Sequence, residues 1–127
     1  MDTFVNFAVT NLKSSIPANK RRKIKVALID NGVDGSHAPL EQIINLGTSY
    51  CSHPHHYDQL NSYWAPSRAH GTQMACLIHR VCPEIDLYVA RIQDMEAEDS
   101  RQIDVESVVK VFIIPESYIP TVTKQSH

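Results

Sequence analysis

The chain has no run of eighteen apolar residues, so the sequence predicts no membrane-spanning helix. It has no excess of one charge either. Twelve Lys+Arg against fourteen Asp+Glu leave a net charge of -2 at pH 7. That balance gives no electrostatic footprint for nucleic acid or an anionic membrane surface, and neither is an expected partner. The N-terminus lacks the layout of a secretory signal. Met1-Asp2-Thr3-Phe4 puts an acid where a basic region belongs, and Asn6 breaks the apolar stretch that runs to Val9. An even cysteine count is also missing. Cys51, Cys76 and Cys82 cannot all pair within the chain, and the last two sit in an apolar stretch where a thiol behaves as a small hydrophobe. Reduced thiols and an intracellular, cytoplasmic setting follow as the expectation. Internal repeats and low-complexity tracts are absent.

What is there fits an ordinary globular domain. The 127 residues are 43% hydrophobic and 20% charged, enough for one small domain with a single core. Residues 1–23 read as a leader or linker: a weakly amphipathic turn or two, then Ser14-Ser15-Ile16-Pro17 and the basic run Lys20-Arg21-Arg22-Lys23. That run fits a nuclear signal or, more plainly, a solvated linker before a strand. Residues 24–114 read as the domain and 115–127 as a divergent tail.

Within the domain, Val26 to Ile29 form an uninterrupted apolar run, as in a parallel strand buried on both faces, and the strand is read over 24–30. Asn31-Gly32 marks a turn. Pro39 to Ile44 reads as a short helical turn. Residues 45–69 show no period and read as a long loop with one short strand at most. Residues 72–81 read as a helix, with Met74, Leu77, Ile78 and Val81 on one apolar face, Thr72 as N-cap and Pro83 as the stop. Residues 85–92 read as a second strand. Strand, helix, strand in that order predicts a right-handed βαβ unit with parallel strands, an α/β fold with flanking helices. The segment 94–104 is acidic and expected on the surface. Residues 105–114 fit helix by spacing and strand by β-branched content.

Two residues stand out chemically. Asp30 ends a buried strand, where open α/β sheets place their ligands. A carboxylate there must be paired or hydrogen-bonded to offset its desolvation. Its plainer role is to cap its own turn through backbone amides. His70 opens a helix and is followed by Gly71, which lets another backbone approach closely. Its plainer role is a polar residue at an exposed helix start. Cys51, His53, His55 and His56 group locally, but Pro54 interrupts them and no second ligand pair follows. No metal site, and no cofactor, is expected. Tyr63 and Trp64 are expected to fold the loop onto the domain.

Taken together, the motifs carry a resemblance. Val26-Ala27-Leu28-Ile29-Asp30-Asn31-Gly32-Val33-Asp34, followed by His37 and Leu40, resembles the first catalytic segment of subtilisin-like serine proteases. His70-Gly71-Thr72-Gln73-Met74-Ala75 resembles their second. Val81 to Ile92 is similar to the segment that leads from the histidine helix into the next core strand. Asp30 preceding His70 agrees with the Asp, His, Ser chain order of these proteases. The resemblance implies a serine endopeptidase acting on polypeptides, with Asp30 orienting His70 and His70 serving as general base and then general acid.

Mild departures are Asn31 in place of a small hydroxyl residue, Ala69 in place of glycine, and His37-Ala38-Pro39-Leu40 in place of His-Pro-Asp-Leu. The serious departure is downstream. Nothing after Ile92 resembles the oxyanion asparagine or the serine segment, and Ser100, Ser107, Ser117 and Ser126 lack its small-residue setting. Gly47-Thr48-Ser49-Tyr50-Cys51 mimics that segment but precedes His70. The expectation is a truncated subtilisin-like domain, inactive as an isolated chain. The alternative is a non-catalytic protein-interaction module derived from a peptidase, which would self-associate or pair with a partner through an exposed sheet edge.

Overall fold

The apolar run at Val26 to Ile29 becomes strand β1, Ile24–Asp30, and the second run becomes β5, Ile85–Arg91. A computed structural model of the chain describes residues 2–53, 56–97 and 100–113; the tail at 115–127 lies outside them. In chain order the elements are α1 (Asp2–Ser15), a 3-10 turn (Ala18–Lys20), β1, α2 (Ala38–Glu41), β2 (Ile44–Ser49), β3 (Ser52–His53), β4 (His56–Leu60), α3 (His70–Val81), β5, β6 (Asp94–Ala97), β7 (Ser100–Ile103) and α4 (Val105–Phe112). The fold is mixed α/β, with a parallel three-stranded sheet and flanking helices.

Strand order in that sheet is β1-β5-β2, all parallel. β5 is central and alternates: Ile85, Leu87, Val89 and Arg91 are buried and the residues between them half-buried. Its register with β1 runs from Ile24↔Ile85 to Asp30↔Arg91, and Ser49 of β2 also faces Arg91. The three strands therefore end level, with Asp30, Arg91 and Ser49 side by side. Leu28, Ile85, Leu87 and Val89 of the sheet pack with Val33, Leu40, Ile43 and Ala75 to form the core. Burying such side chains stabilises by roughly 1.5–3 kcal/mol each.

Four expectations need correction. First, the sheet's third strand, β2, takes Ile44 from the stretch read as a short helical turn and residues 45–49 from the stretch read as aperiodic loop. Its sequence Ile44-Asn45-Leu46-Gly47-Thr48-Ser49 is half polar because an edge strand is partly solvated, so period alone hides it. β3 and β4 form an antiparallel hairpin in the same stretch. Second, the helix starts at His70 rather than at residue 72. Ala69 is its N-cap without a side-chain hydrogen bond, so Thr72 lies inside the first turn. Third, Met74, Leu77 and Val81 are exposed, while Gly71 and Ala75 are buried and Ile78 and Cys82 pack against the core. The start of the helix presses on the turn after β1, where Gly71 leaves room for the Gly32 carbonyl, and Ala75 and Ile78 follow into the core. Fourth, residues 2–15 form a full helix rather than a turn or two.

The ambiguous segment 105–114 is helical over Val105–Phe112. Asp104 decides it: its carboxylate accepts from Ser107 N at 2.8 Å as an N-cap, outweighing β-branched propensity. Within the acidic 94–104 stretch, β6 and β7 pair antiparallel. Among the described residues no helix is long and apolar enough to cross a membrane.

Candidate active site

Asp30 is the last residue of β1 and His70 the first of α3, and the fold brings them together. His70 Nδ1 lies 2.8 Å from Asp30 Oδ2 and 3.0 Å from Oδ1. An ionised carboxylate only accepts, so this contact places the ring hydrogen on Nδ1 and leaves a lone pair on Nε2. The Asp30 side chain is 11% exposed and that of His70 50%. The acid is thus held within the protein and the base remains open to solvent. Asp30 Oδ1 also accepts from Asn31 N at 2.7 Å. The turn-capping role and the histidine-orienting role coexist in one carboxylate.

The turn after β1 is stitched to the start of α3. Asn31 is fully buried; its Oδ1 accepts from Gly71 N at 3.0 Å and its Nδ2 donates to Arg68 O at 3.5 Å. Asp34 N donates to Thr72 Oγ1 at 2.9 Å. Gly32 has φ +100°, a conformation that L side chains rarely adopt. At Gly71 a Cβ would collide with the Gly32 carbonyl oxygen and lie 2.9 Å from Asn31 Oδ1. Two glycines and one asparagine therefore set the spacing at which Asp30 and His70 meet. Beside them, Asp34 accepts from Ser36 Oγ at 2.6 Å and Ser36 N at 2.9 Å. These bonds hold the Asp34 carboxyl below the usual carboxylate range.

Arg91 is the residue that sequence reasoning passed over. It is 5% exposed, in register with Asp30, and its Nη1 donates to Ser62 O at 2.7 Å and Ala65 O at 2.9 Å. Its Nε is buried without a hydrogen-bond partner. The loop it clamps leads into His70 and returns two bonds to the acid's turn: Val33 N donates to Tyr63 O at 2.8 Å and Gly35 N to Trp64 O at 3.2 Å. The available signal was a guanidinium closing a strand whose centre, Leu87 to Ala90, carries no charge. Asn31 was visible too, but as half of a turn signal and as a departure from a motif, and not as a helix cap.

The remaining residues considered from sequence stand apart. Ser49 is buried at the end of β2, two strands from β1, and its Oγ accepts from Cys51 N at 3.3 Å. Cys51 is buried and its Sγ accepts from Asn61 Nδ2 at 3.5 Å. The side chains of His53, His55 and His56 lie outside the described residues. Among the described residues no group of three or more His, Cys, Asp or Glu could hold a metal ion. Ser107 is buried, donates to Asp104 O at 2.7 Å and accepts from Gln93 N at 3.1 Å, so its hydroxyl is fully engaged in capping α4. The side chain of Ser100, and all of Ser117 and Ser126, lie outside the described residues. Among the described residues no serine hydroxyl is hydrogen-bonded to the His70 ring.

An Asp–His pair so arranged can accept a proton at Nε2 and release it again, with the carboxylate stabilising the imidazolium between the two events. No family model matches the chain, and neither does any curated protein or solved structure compared with it.

Proposed function

We propose that Asp30 and His70 are the acid–base half of a subtilisin-like serine endopeptidase centre, and that the 127-residue chain alone does not hydrolyse peptides. The observation that carries this reading is the contact of His70 Nδ1 with both carboxylate oxygens of Asp30, at 2.8 and 3.0 Å. In this reading Asp30 holds the tautomer, and His70 Nε2 takes the proton of a serine hydroxyl as it attacks the peptide carbonyl. The same nitrogen then returns the proton to the leaving amine. The serine and the oxyanion donor come from residues other than those described here, and a polypeptide is the substrate once they are supplied.

Two measurements test the halves of the proposal separately. Nitrogen-15 NMR of the imidazole should show the Nδ1–H tautomer of His70, and Asp30→Asn should abolish that preference. A mixed tautomer population in the unaltered chain would remove the orienting role. Fluorogenic-peptide turnover and fluorophosphonate labelling should both be absent. Labelling that His70→Ala eliminates would show a nucleophile within this chain and overturn the inactive reading.

One observation favours a second reading, a non-catalytic interaction module. With order β1-β5-β2, the sheet leaves one edge of β1 and one of β2 unpaired among the described residues, and Ile24 on β1 is 60% exposed. Unpaired strand edges template pairing with another chain. Light scattering across a concentration series distinguishes this reading: self-association that a proline at Lys25 suppresses supports it, and a monomer at every concentration removes it.

A further inference from the structure

We infer that Tyr63, Trp64 and Glu41 form a binding site for an alkylated ammonium group, distinct in chemistry from the Asp30–His70 pair. A cavity of about 240 Å³ is lined by Gly35, Glu41, Ile44, Tyr63 and Trp64. The two aromatic rings meet edge to face, with centroids 4.9 Å apart and planes at 88°. The perpendicular rings make a corner in the cavity's lining, and a cation within about 6 Å of such a ring is attracted by its quadrupole.

The corner is built and not incidental. The Tyr63 ring occupies the space where a Cβ on Gly47 would stand, so it lies flat on β2 only because that residue is glycine. A Cβ on Gly35 would lie 3.0 Å from Trp64 Cβ. The loop backbone carrying both rings is fixed by Val33 N to Tyr63 O, by Gly35 N to Trp64 O, and by Arg91 to the Ser62 and Ala65 carbonyls. Little ordering entropy remains to be lost on binding, which favours affinity.

The charge at the site chooses the ligand. Glu41 supplies a carboxylate from the end of α2, and Ile44 supplies an apolar floor. An aromatic corner, an apolar floor and one carboxylate suit a cation with a greasy surface. A strongly hydrated, compact ammonium would lose more water than these walls replace. A quaternary ammonium meets all three walls. It can arrive as a small molecule or on a methylated lysine of a peptide.

Trp64 is the only tryptophan, so intrinsic fluorescence reports the site directly. The test titrates the full chain at constant ionic strength with tetramethylammonium, and with neopentyl alcohol as a water-soluble neutral analogue of similar size. Parallel arms use a trimethyllysine peptide and its unmodified counterpart, which separate the two sources. A saturable change with tetramethylammonium, none with the alcohol, and weakening on the order of fivefold in Glu41→Gln is the expected result, the size of one exposed charge pair. Far-UV circular dichroism of Glu41→Gln should match the unaltered chain, since this side chain is exposed. An equal response to the alcohol, an undiminished response in folded Glu41→Gln, or no saturable response to any cation would overturn the inference. The comparison of cation with alcohol needs no variant, so misfolding cannot mask a negative result.

Discussion

Asn31 Oδ1 accepts the Gly71 amide hydrogen at 3.0 Å, so the first turn of the histidine helix is capped from the strand that presents the acid. One fully buried side chain thereby ties together the two residues of the candidate centre. Its second bond, to Arg68 O, anchors the approach to the helix as well.

Asn31→Ala is expected to destabilise the chain by about 2 kcal/mol, because a buried amide loses its acceptor. Urea unfolding followed by Trp64 fluorescence measures this. The His70 tautomer preference should weaken in the same variant. A change under about 0.5 kcal/mol, within the range of ordinary surface substitutions, would mean that water replaces the cap.

Gly71→Ala should be worse. The added methyl meets the Gly32 carbonyl, which is backbone and cannot rotate away. Overpacking against backbone predicts about 3 kcal/mol of destabilisation. Gln73→Ala, exposed on the same helix, is the control and should be near neutral. Equal midpoints for the two variants would show that α3 is not pressed against the β1 turn.

Arg91→Met should cost about 3 kcal/mol, since two charge-assisted bonds to the Ser62 and Ala65 carbonyls disappear together. Arg91→Lys should restore little, because the shorter lysine stem does not carry its ammonium out to the position from which Nη1 reaches both carbonyls. The Trp64 emission maximum should shift in Arg91→Met even without denaturant, as the loop from Ser62 to Ala65 loses its anchor. Full rescue by lysine would mean that charge alone, and not geometry, holds the loop.

A pH dependence is expected at the junction of α1 and α3. Arg80 Nε and Nη2 each donate to Asp2 at 2.8 Å, and the guanidinium's hydrogen bonds and charge hold the Asp2 carboxyl below its ordinary 3.8. A lowered folded-state value means the contribution is present above 3.8 and is lost as pH falls through the lower folded-state value. The stability difference between the chain and Asp2→Asn should therefore shrink as pH is lowered through that range. A difference that is constant, or that grows on acidification, would rule out the ion pair as its source.

The parts of the fold that were legible in the sequence are those with an unmixed local pattern. β1 and β5 announce themselves because their centres are continuously apolar, and α3 because its helical spacing and its proline stop are local signals. β2 was not legible: an edge strand with Asn45, Gly47 and Thr48 carries no clean period. The buried side of α3 was misread for a different reason. Met74, Leu77 and Val81 form the most hydrophobic stripe, but the close approach to the Gly32 carbonyl selects Gly71, and Ala75 packs into the core one turn on. α4 was ambiguous until its cap was seen, since Asp104 and Ser107 outweigh a run of valines.

The sequence by itself determined that an acid ends one strand, that a histidine opens one helix, and that a strand–helix–strand order connects them. Each of these is written within about ten residues, in apolar period and helix-end chemistry. Only the tertiary structure decided that the two side chains meet, because they stand 40 positions apart and their distance depends on parallel register and on how closely α3 approaches β1. It alone also gave Asn31, Arg91 and the Tyr63–Trp64 corner their roles. A buried hydrogen bond is specified by both partners and the space between them, and neither partner's neighbours in sequence encode that space.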